Sequence, residues 1–159
     1  MPDLLIAAAQ PNPPGRDSLR PGLAANTTLN NEWVEFVAES ARNLSGDTLY
    51  HETYSAACIR TGTTALVTLP PVQVYPGQRV RVCTGRGTNE WVGSTLFVYL
   101  NRDWFVWNNA CGDRATLAFQ LTVIDSARYA PRPPEGQLAR VAGTDRLEPA
   151  RAAAYRAYF

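Results

Sequence analysis

The chain has no lysine, a single histidine, a single methionine and only three cysteines. With no lysine, all fifteen basic residues are arginine. Coding bias toward Arg, Ala, Pro and Gly is the plainer explanation. Selection for planar, bidentate contacts in an assembly is the sharper one, since arginine outperforms lysine there. Composition does not separate the two. One histidine excludes a His-rich transition-metal site but leaves carboxylate-only Ca²⁺ or Mg²⁺ binding open. That residue, His51, stands between Tyr50 and Glu52 in a strand-like segment, and no nucleophile motif accompanies it. A structural role is therefore expected for it. Cys58, Cys83 and Cys111 are too widely spaced for a zinc site. Free thiols are the default expectation, with one disulfide possible in an oxidising compartment. The apolar runs are too short to span a bilayer. No basic region followed by a long apolar core opens the chain, so no signal peptide is expected. The sequence reads as soluble, with the cytoplasm as default and a virion or other extracellular assembly possible.

What is present is enough for one domain and a tail in 159 residues, at a formal charge of +1. That charge gives no overall pull toward nucleic acid or an anionic membrane. It is unevenly spread. Residues 1–126 carry nine arginines against eleven acids, and residues 127–159 carry six against three.

Leu4 to Ala9 reads as a first strand or buried edge segment, stopped by Pro11-Asn12-Pro13-Pro14-Gly15. Arg16 to Asn31 is polar and turn-prone, an expected exposed loop. Glu32 to Val37 alternates, with Val34 and Phe36 on one face and Trp33 and Glu35 on the other, as in a half-buried strand. Thr64 to Leu69 is β-branched, and Arg79 to Cys83 alternates valine with arginine. Gly85-Arg86-Gly87-Thr88 lacks the lysine and helix of a phosphate cradle and is expected to be a hairpin turn. Leu96 to Leu100 is apolar on both faces, hence central or covered, and Ala115 to Ile124 supplies the last strand material. Short strands between turn signals predict an all-β sandwich.

The chain is organised around Trp104 to Leu117, where Asn108-Asn109 and Gly112 interrupt β-rich sequence. Asn and Gly tolerate the left-handed backbone of a sharp turn. Trp107 is expected to be a buried anchor beside that turn, with Asp113 bonding backbone amides. Trp107-Asn108-Asn109, Gly112-Asp113 and Ala115-Thr116-Leu117 resemble the signature of the lamin-tail domain. Asn31-Glu32-Trp33-Val34-Glu35, Leu44-Ser45-Gly46, Tyr75-Pro76-Gly77 and Thr84 to Thr88 resemble further blocks of that family, in order. The likeness covers roughly Leu4 to Ser126. It implies an immunoglobulin-like two-sheet sandwich with Trp33, Trp107, Asn108, Asn109, Gly112 and Asp113 as structural anchors. The chain departs from the family in three places. Asp47 stands where the family usually has Trp, Ala110-Cys111 lengthens the Asn-Asn to Gly-Asp step, and no glycine turn follows the Ala-x-Leu strand. The last hairpin is therefore either tightened or bulged at Gln120.

The resemblance implies an interaction module, and fold alone delivers no site. No catalytic, cofactor or metal residues are assigned. Glu32 and Glu35 lie three apart on a strand, point to opposite faces and are expected to be solvated. The first functional expectation is a non-enzymatic subunit or adaptor of a filament, capsid decoration or scaffold, with self-association or other protein partners. The alternative is a nucleic-acid-binding accessory domain for a separately encoded enzyme. It would use Arg79, Arg81 and Arg86 as a basic stripe, with Trp91 and Trp104 for stacking. Two domains follow, 1–126 as the sandwich and 127–159 as a tail. Tyr129 to Pro134 is expected to be extended and to leave the sandwich rather than pack as a strand. Glu148-Pro149 then predicts a short terminal helix. Arg151, Tyr155, Arg156, Tyr158 and Phe159 would be its docking face, in cis or on a neighbour.

Overall fold

Alternating sequence becomes strand over about half of the described residues, in a computed structural model describing residues 3–13, 25–136 and 139–140. In order these are β1 (Leu4–Gln10), α1 (Asn26–Asn30), β2 (Trp33–Ala38), β3 (Arg42–Asn43), β4 (Asp47–Tyr54) and β5 (Arg60–Thr68). There follow β6 (Gln73–Val74), β7 (Arg79–Cys83), β8 (Glu90–Val92), β9 (Thr95–Tyr99), β10 (Asp113–Phe119), β11 (Thr122–Tyr129) and β12 (Ala139–Arg140). The fold is all-β. One sheet has the order β12-β1-β2-β7-β9-β8, a second β11-β10-β4-β5, and β3 pairs with β6 in a short third.

The two large sheets share one core. Leu4, Ile6, Val34, Phe36, Val80, Val82, Leu96 and Val98 enter it from the first sheet, and Leu49, Ala115, Leu117 and Ala127 from the second. Leu44, Leu69, Val74 and Trp107 are buried in the same cluster. A polar bond also crosses between the sheets. The Ile6 amide, at the β1 bulge, donates to Asp125 Oδ2 on β11 at 2.8 Å. Position 47 holds a buried carboxylate in an ion pair. Arg42 Nε and Nη2 bond the Asp47 carboxylate at 2.7 and 2.6 Å, and the guanidinium reaches over the Phe119 ring.

β2 is covered on both faces, not half-buried. Val34 and Phe36 enter the core, while Arg81 spreads its guanidinium 4.0 Å above the Trp33 ring on the other side. The expected exposed loop also differs at its end, for Asn26–Asn30 is helical with Leu29 buried. A five-residue helix is not stable alone. Here Asn26 and Asn30 clamp the Arg86 peptide. The Asn26 Oδ1 accepts from its amide at 2.7 Å, and both Asn amides donate to its carbonyl at 3.1 and 3.0 Å.

That clamp corrects the reading of Gly85 to Thr88 as a hairpin turn. The segment is a crossover: β7 and β9 are parallel neighbours, and β8 lies beyond β9 at the sheet edge. β9 takes the central place because Leu96 and Val98 have a core to enter, whereas β8 is exposed throughout. A Cβ at Gly85 would fall 2.5 Å from Asn30 Oδ1, and at Gly87 2.7 Å from the Tyr99 ring, so a side chain at either would push those neighbours aside. The β10–β11 hairpin closes tightly through Gln120 and Leu121, both at positive φ (46° and 66°).

The described residues after Ser126 do not leave the sandwich. β11 continues to Tyr129, beyond the expected boundary. Arg132 N then donates to Asn109 O at 2.7 Å, and Asn12 bonds the Pro133 carbonyl and the Gly136 amide at 2.9 and 2.7 Å. β12 follows as an added strand on β1, pairing Ala8 with Arg140 and Ala9 with Ala139. Prolines 131, 133 and 134 prevent a ladder within their own stretch. They do not stop the chain from being held by side-chain and backbone bonds and then resuming strand. Residues 141–159, with the expected helix and Arg151, Tyr155, Arg156, Tyr158 and Phe159, lie outside the described residues. Among the described residues no helix is long and apolar enough to cross a membrane.

Candidate functional site

Three polar clusters and one apolar surface are where this fold could carry function. The first cluster is the Trp107 corner. Trp107 is buried, and its ring meets the His51 imidazole edge to face at 5.8 Å. Asp113, fully buried at the start of β10, is the hub. Its Oδ1 accepts the Glu52 and Arg114 amides at 3.0 and 2.7 Å, and its Oδ2 accepts the Asn108 amide at 3.1 Å. His51 Nδ1 stands 3.1 Å from the same Oδ2. The Asn108 side chain accepts the Cys111 amide, and the Tyr129 hydroxyl donates to the Asn108 carbonyl. Burial pushes the Tyr129 phenol well above its usual range, with the nearby Asp113 adding to it. Gly112 sits at φ +71°, where a Cβ would meet the Tyr129 carbonyl at 2.5 Å. Asn109 offers its carbonyl to Arg132. Trp33 is placed separately, on the outer side of β2 beneath Arg81.

Cys111 belongs to the same corner and forms a disulfide with Cys58, across a sequence separation of 53. The default of three free thiols is thus corrected. Only Cys83 is free among the described residues, and it is buried. The extra Ala110-Cys111 step brings Cys111 to the turn after β4, where Cys58 adopts φ +59°. Neither spacing nor count could reveal this, because the pairing depends on β4 and β10 lying side by side.

The second cluster covers the outer side of the β11-β10-β4-β5 sheet and was not legible in the sequence. Glu52, nearly fully buried, has Arg60 Nε at 3.2 Å, Arg114 Nε at 3.4 Å and Arg128 Nη1 at 3.7 Å from its carboxylate. The Tyr54 hydroxyl donates to Glu52, and Arg128 donates to the Tyr54 oxygen at 2.6 Å and to the Cys111 carbonyl at 2.9 Å. Burial, reinforced by the Glu52 carboxylate, pushes the Tyr54 phenol far up. The ion partners come from four strands and span Glu52 to Arg128, so only strand order brings them together.

The third cluster overturns the expectation that Glu32 and Glu35 are solvated: they are 0% and 5% exposed. Glu32 accepts from Thr84 Oγ1 at 2.6 Å and from the Val106 amide at 2.9 Å. Glu35 bonds Arg79 at 2.8 Å and Arg81 at 2.7 Å. The two carboxylates have separate partners. Glu35 is covered by the β7 arginines on the outer side of β2, and Glu32, just before the strand, by Thr84 and the Val106 amide, which strand alternation alone cannot disclose.

Chemically, these clusters hold charges against one another. His51 and Asp113 form a His–carboxylate couple. Arg79 and Arg81 are engaged by Glu35, and Arg86 by Asp103 at 2.6 Å, so each member of the expected basic stripe faces a carboxylate. Asp103 is exposed on that pair, away from the partners of buried Asp113. Trp104 packs edge to face on Phe105, and Trp91 lies on the edge strand β8. Among the described residues no group of three His, Cys, Asp or Glu side chains is gathered as for a metal ion.

The apolar surface lies at the opposite end of the sandwich from Trp107. Ile59 (67% exposed) lies in the turn after β4 and Trp91 (41%) on edge strand β8, while Tyr75, Val92, Leu121 and Phe119 are 56, 55, 50 and 37% exposed. The backbone ties them to one pole. Gly77 N bonds Ala38 O, Arg79 N bonds Ser94 O, and Leu69 N bonds Asp47 O, while Phe119 pairs with Asp47 across the ladder. Gln78 Oε1 accepts the Tyr75 amide and fixes that turn. Comparison with models of known protein families and with curated proteins returned no match.

Proposed function

We propose that the chain is a non-enzymatic structural or interaction module, a subunit or adaptor of a larger protein assembly such as a filament, capsid decoration or scaffold. On this reading its C-terminal residues dock on a neighbour. The observation that carries it is the set of large apolar side chains left exposed, Tyr75, Val92, Phe119 and Leu121 at the end of the sandwich away from Trp107. The ionisable clusters support the same reading, since their groups are engaged internally. We read the sandwich as immunoglobulin-like and akin to the lamin-tail domain, on the ordered motif blocks and the core shared by two sheets. The Cys58–Cys111 bridge favours an oxidising setting, hence a virion or other extracellular assembly over the cytoplasm.

The test is the molar mass of the purified full chain by analytical ultracentrifugation across a salt series. A discrete oligomer that survives high salt supports the proposal. A strict monomer with no partner in its native source rejects it. Steep salt-dependent affinity for DNA or RNA would favour the accessory-domain alternative, which the paired state of Arg79, Arg81 and Arg86 places second. Turnover of a phosphoester, peptide or glycoside, abolished by a single carboxylate or thiol substitution, would overturn the non-enzymatic reading.

A further inference from the structure

We infer that the Cys58–Cys111 bridge is a thiol-exchange site, at which an incoming thiol becomes joined to Cys58 and Cys111 is released. Access singles out Cys58. It lies in the turn between β4 and β5, where Ala56, Ala57, Cys58 and Ile59 are exposed in succession. Cys111 is only 6% exposed. Exchange proceeds by attack of a thiolate on one sulfur and departure of the other, and its rate depends on which sulfur can be reached. An outside thiolate therefore finds Cys58 open and Cys111 closed.

The two halves of the bridge are also held differently. The bonds at Cys58 stay within its own turn. Its amide donates to the Ser55 carbonyl at 2.9 Å, the Ser55 amide donates to the Ile59 carbonyl at 2.9 Å, and Ser55 Oγ accepts the Ile59 amide at 3.3 Å. Cys58 sits at φ +59°, a left-handed backbone that costs a residue with a side chain. Cys111 is fastened to the body of the domain instead. Its amide donates to Asn108 Oδ1 at 2.9 Å and its carbonyl accepts from Arg128 at 2.9 Å. Two residues on, Asp113 gathers the Glu52, Asn108 and Arg114 amides. When the bridge opens, the exposed and strained turn is the part that relaxes, while the Trp107 corner keeps its bonds.

The step balances without a separate oxidant or reductant. The incoming thiolate sulfur bonds to Cys58 Sγ, the Cys58–Cys111 bond breaks, and its electron pair leaves on Cys111 Sγ, which takes a proton from water. The incoming sulfur is oxidised as Cys111 is reduced. Cys83 is buried on β7, in the other large sheet, and serves as an internal reference.

The experiment incubates the native, bridged full chain with reduced glutathione in one arm. The other arm uses a small protein with a Cys-x-x-Cys pair whose second cysteine is replaced by serine, so that a mixed disulfide is trapped. Acid quenching, maleimide labelling in urea and peptide mapping then locate the adduct. The adduct should sit on Cys58 with maleimide on Cys111, at about tenfold or more over the reverse pattern. An adduct in the glutathione arm alone assigns the site to small thiols, and one in the protein arm extends it to macromolecular thiols. Equal adducts on the two cysteines, or a bridge that exchanges only in urea, would overturn the inference. So would maleimide labelling of Cys83 in the adduct before urea is added, since exchange would then have required unfolding. Amide hydrogen exchange on the adduct should show faster exchange at residues 55–59, with the Cys111 and Arg114 amides still protected. Loss of protection in both segments together would refute the difference between the halves.

Discussion

Asp113→Asn tests whether the Trp107 corner is built on one carboxylate. The wild-type side chain accepts three backbone amides, those of Glu52, Arg114 and Asn108, and faces His51 Nδ1. An Asn side chain can keep the Glu52 and Arg114 amides on its one oxygen. Its NH₂ then points at the Asn108 amide, donor against donor, in a fully buried place. His51 can relieve part of this by presenting an unprotonated Nδ1, but the backbone amide of Asn108 cannot. One unsatisfied buried donor costs about 1–3 kcal/mol, so Asp113→Asn should lose about 2 kcal/mol. Asp113→Ala abandons all three amides and should lose about 3–5 kcal/mol after water enters the space. Against a total stability of about 5–15 kcal/mol, the first variant folds and the second is marginal. Urea unfolding followed by tryptophan fluorescence, with the disulfide intact, measures both. An Asp113→Asn midpoint indistinguishable from wild type would refute the hub.

Trp107→Ala should cost about 3–5 kcal/mol, the range for removing a buried large aromatic, and a variant that melts like wild type would remove the anchor. The turn residues Gln120 and Leu121 hold positive φ without being Asn or Gly, so Gln120→Asn with Leu121→Gly should raise stability by about 1–2 kcal/mol. A lowered melting temperature would show that Leu121 contributes more by contact than it costs in backbone. Reducing Cys58–Cys111 should cost up to about 4 kcal/mol for a loop of this length, read as a shift in the urea midpoint under reductant. Burial pushes the Cys83 thiol up to about 11. Folding therefore favours the neutral thiol, and its contribution is whole below the unfolded value of about 8.5 and is lost as pH rises toward the folded one. Iodoacetamide at pH 8 should leave Cys83 unlabelled until urea unfolds the chain, and rapid labelling of the native protein would contradict its burial.

Local pattern determined most of the strands. Alternation placed Val34, Phe36, Val80 and Val82 on core faces, and the apolar run from Leu96 required a covered position, which β9 occupies between β7 and β8. Period-two patterning is a property of neighbours in sequence, so sequence suffices for it. It says nothing of what covers the opposite face. Glu32 and Glu35 looked solvated until Arg79, Arg81 and the Thr84 loop arrived from other strands. The loop at Gly85 looked like a hairpin because glycine marks close approach as well as turns, and here the neighbour is Asn30. The Glu52 cluster and the Cys58–Cys111 bridge depend on the order β11-β10-β4-β5, a long-range choice with no local signature. The return of the chain as β12 was decided the same way. Proline removes backbone donors where it stands, but Asn12, more than a hundred residues earlier, supplies bonds that hold the segment in place.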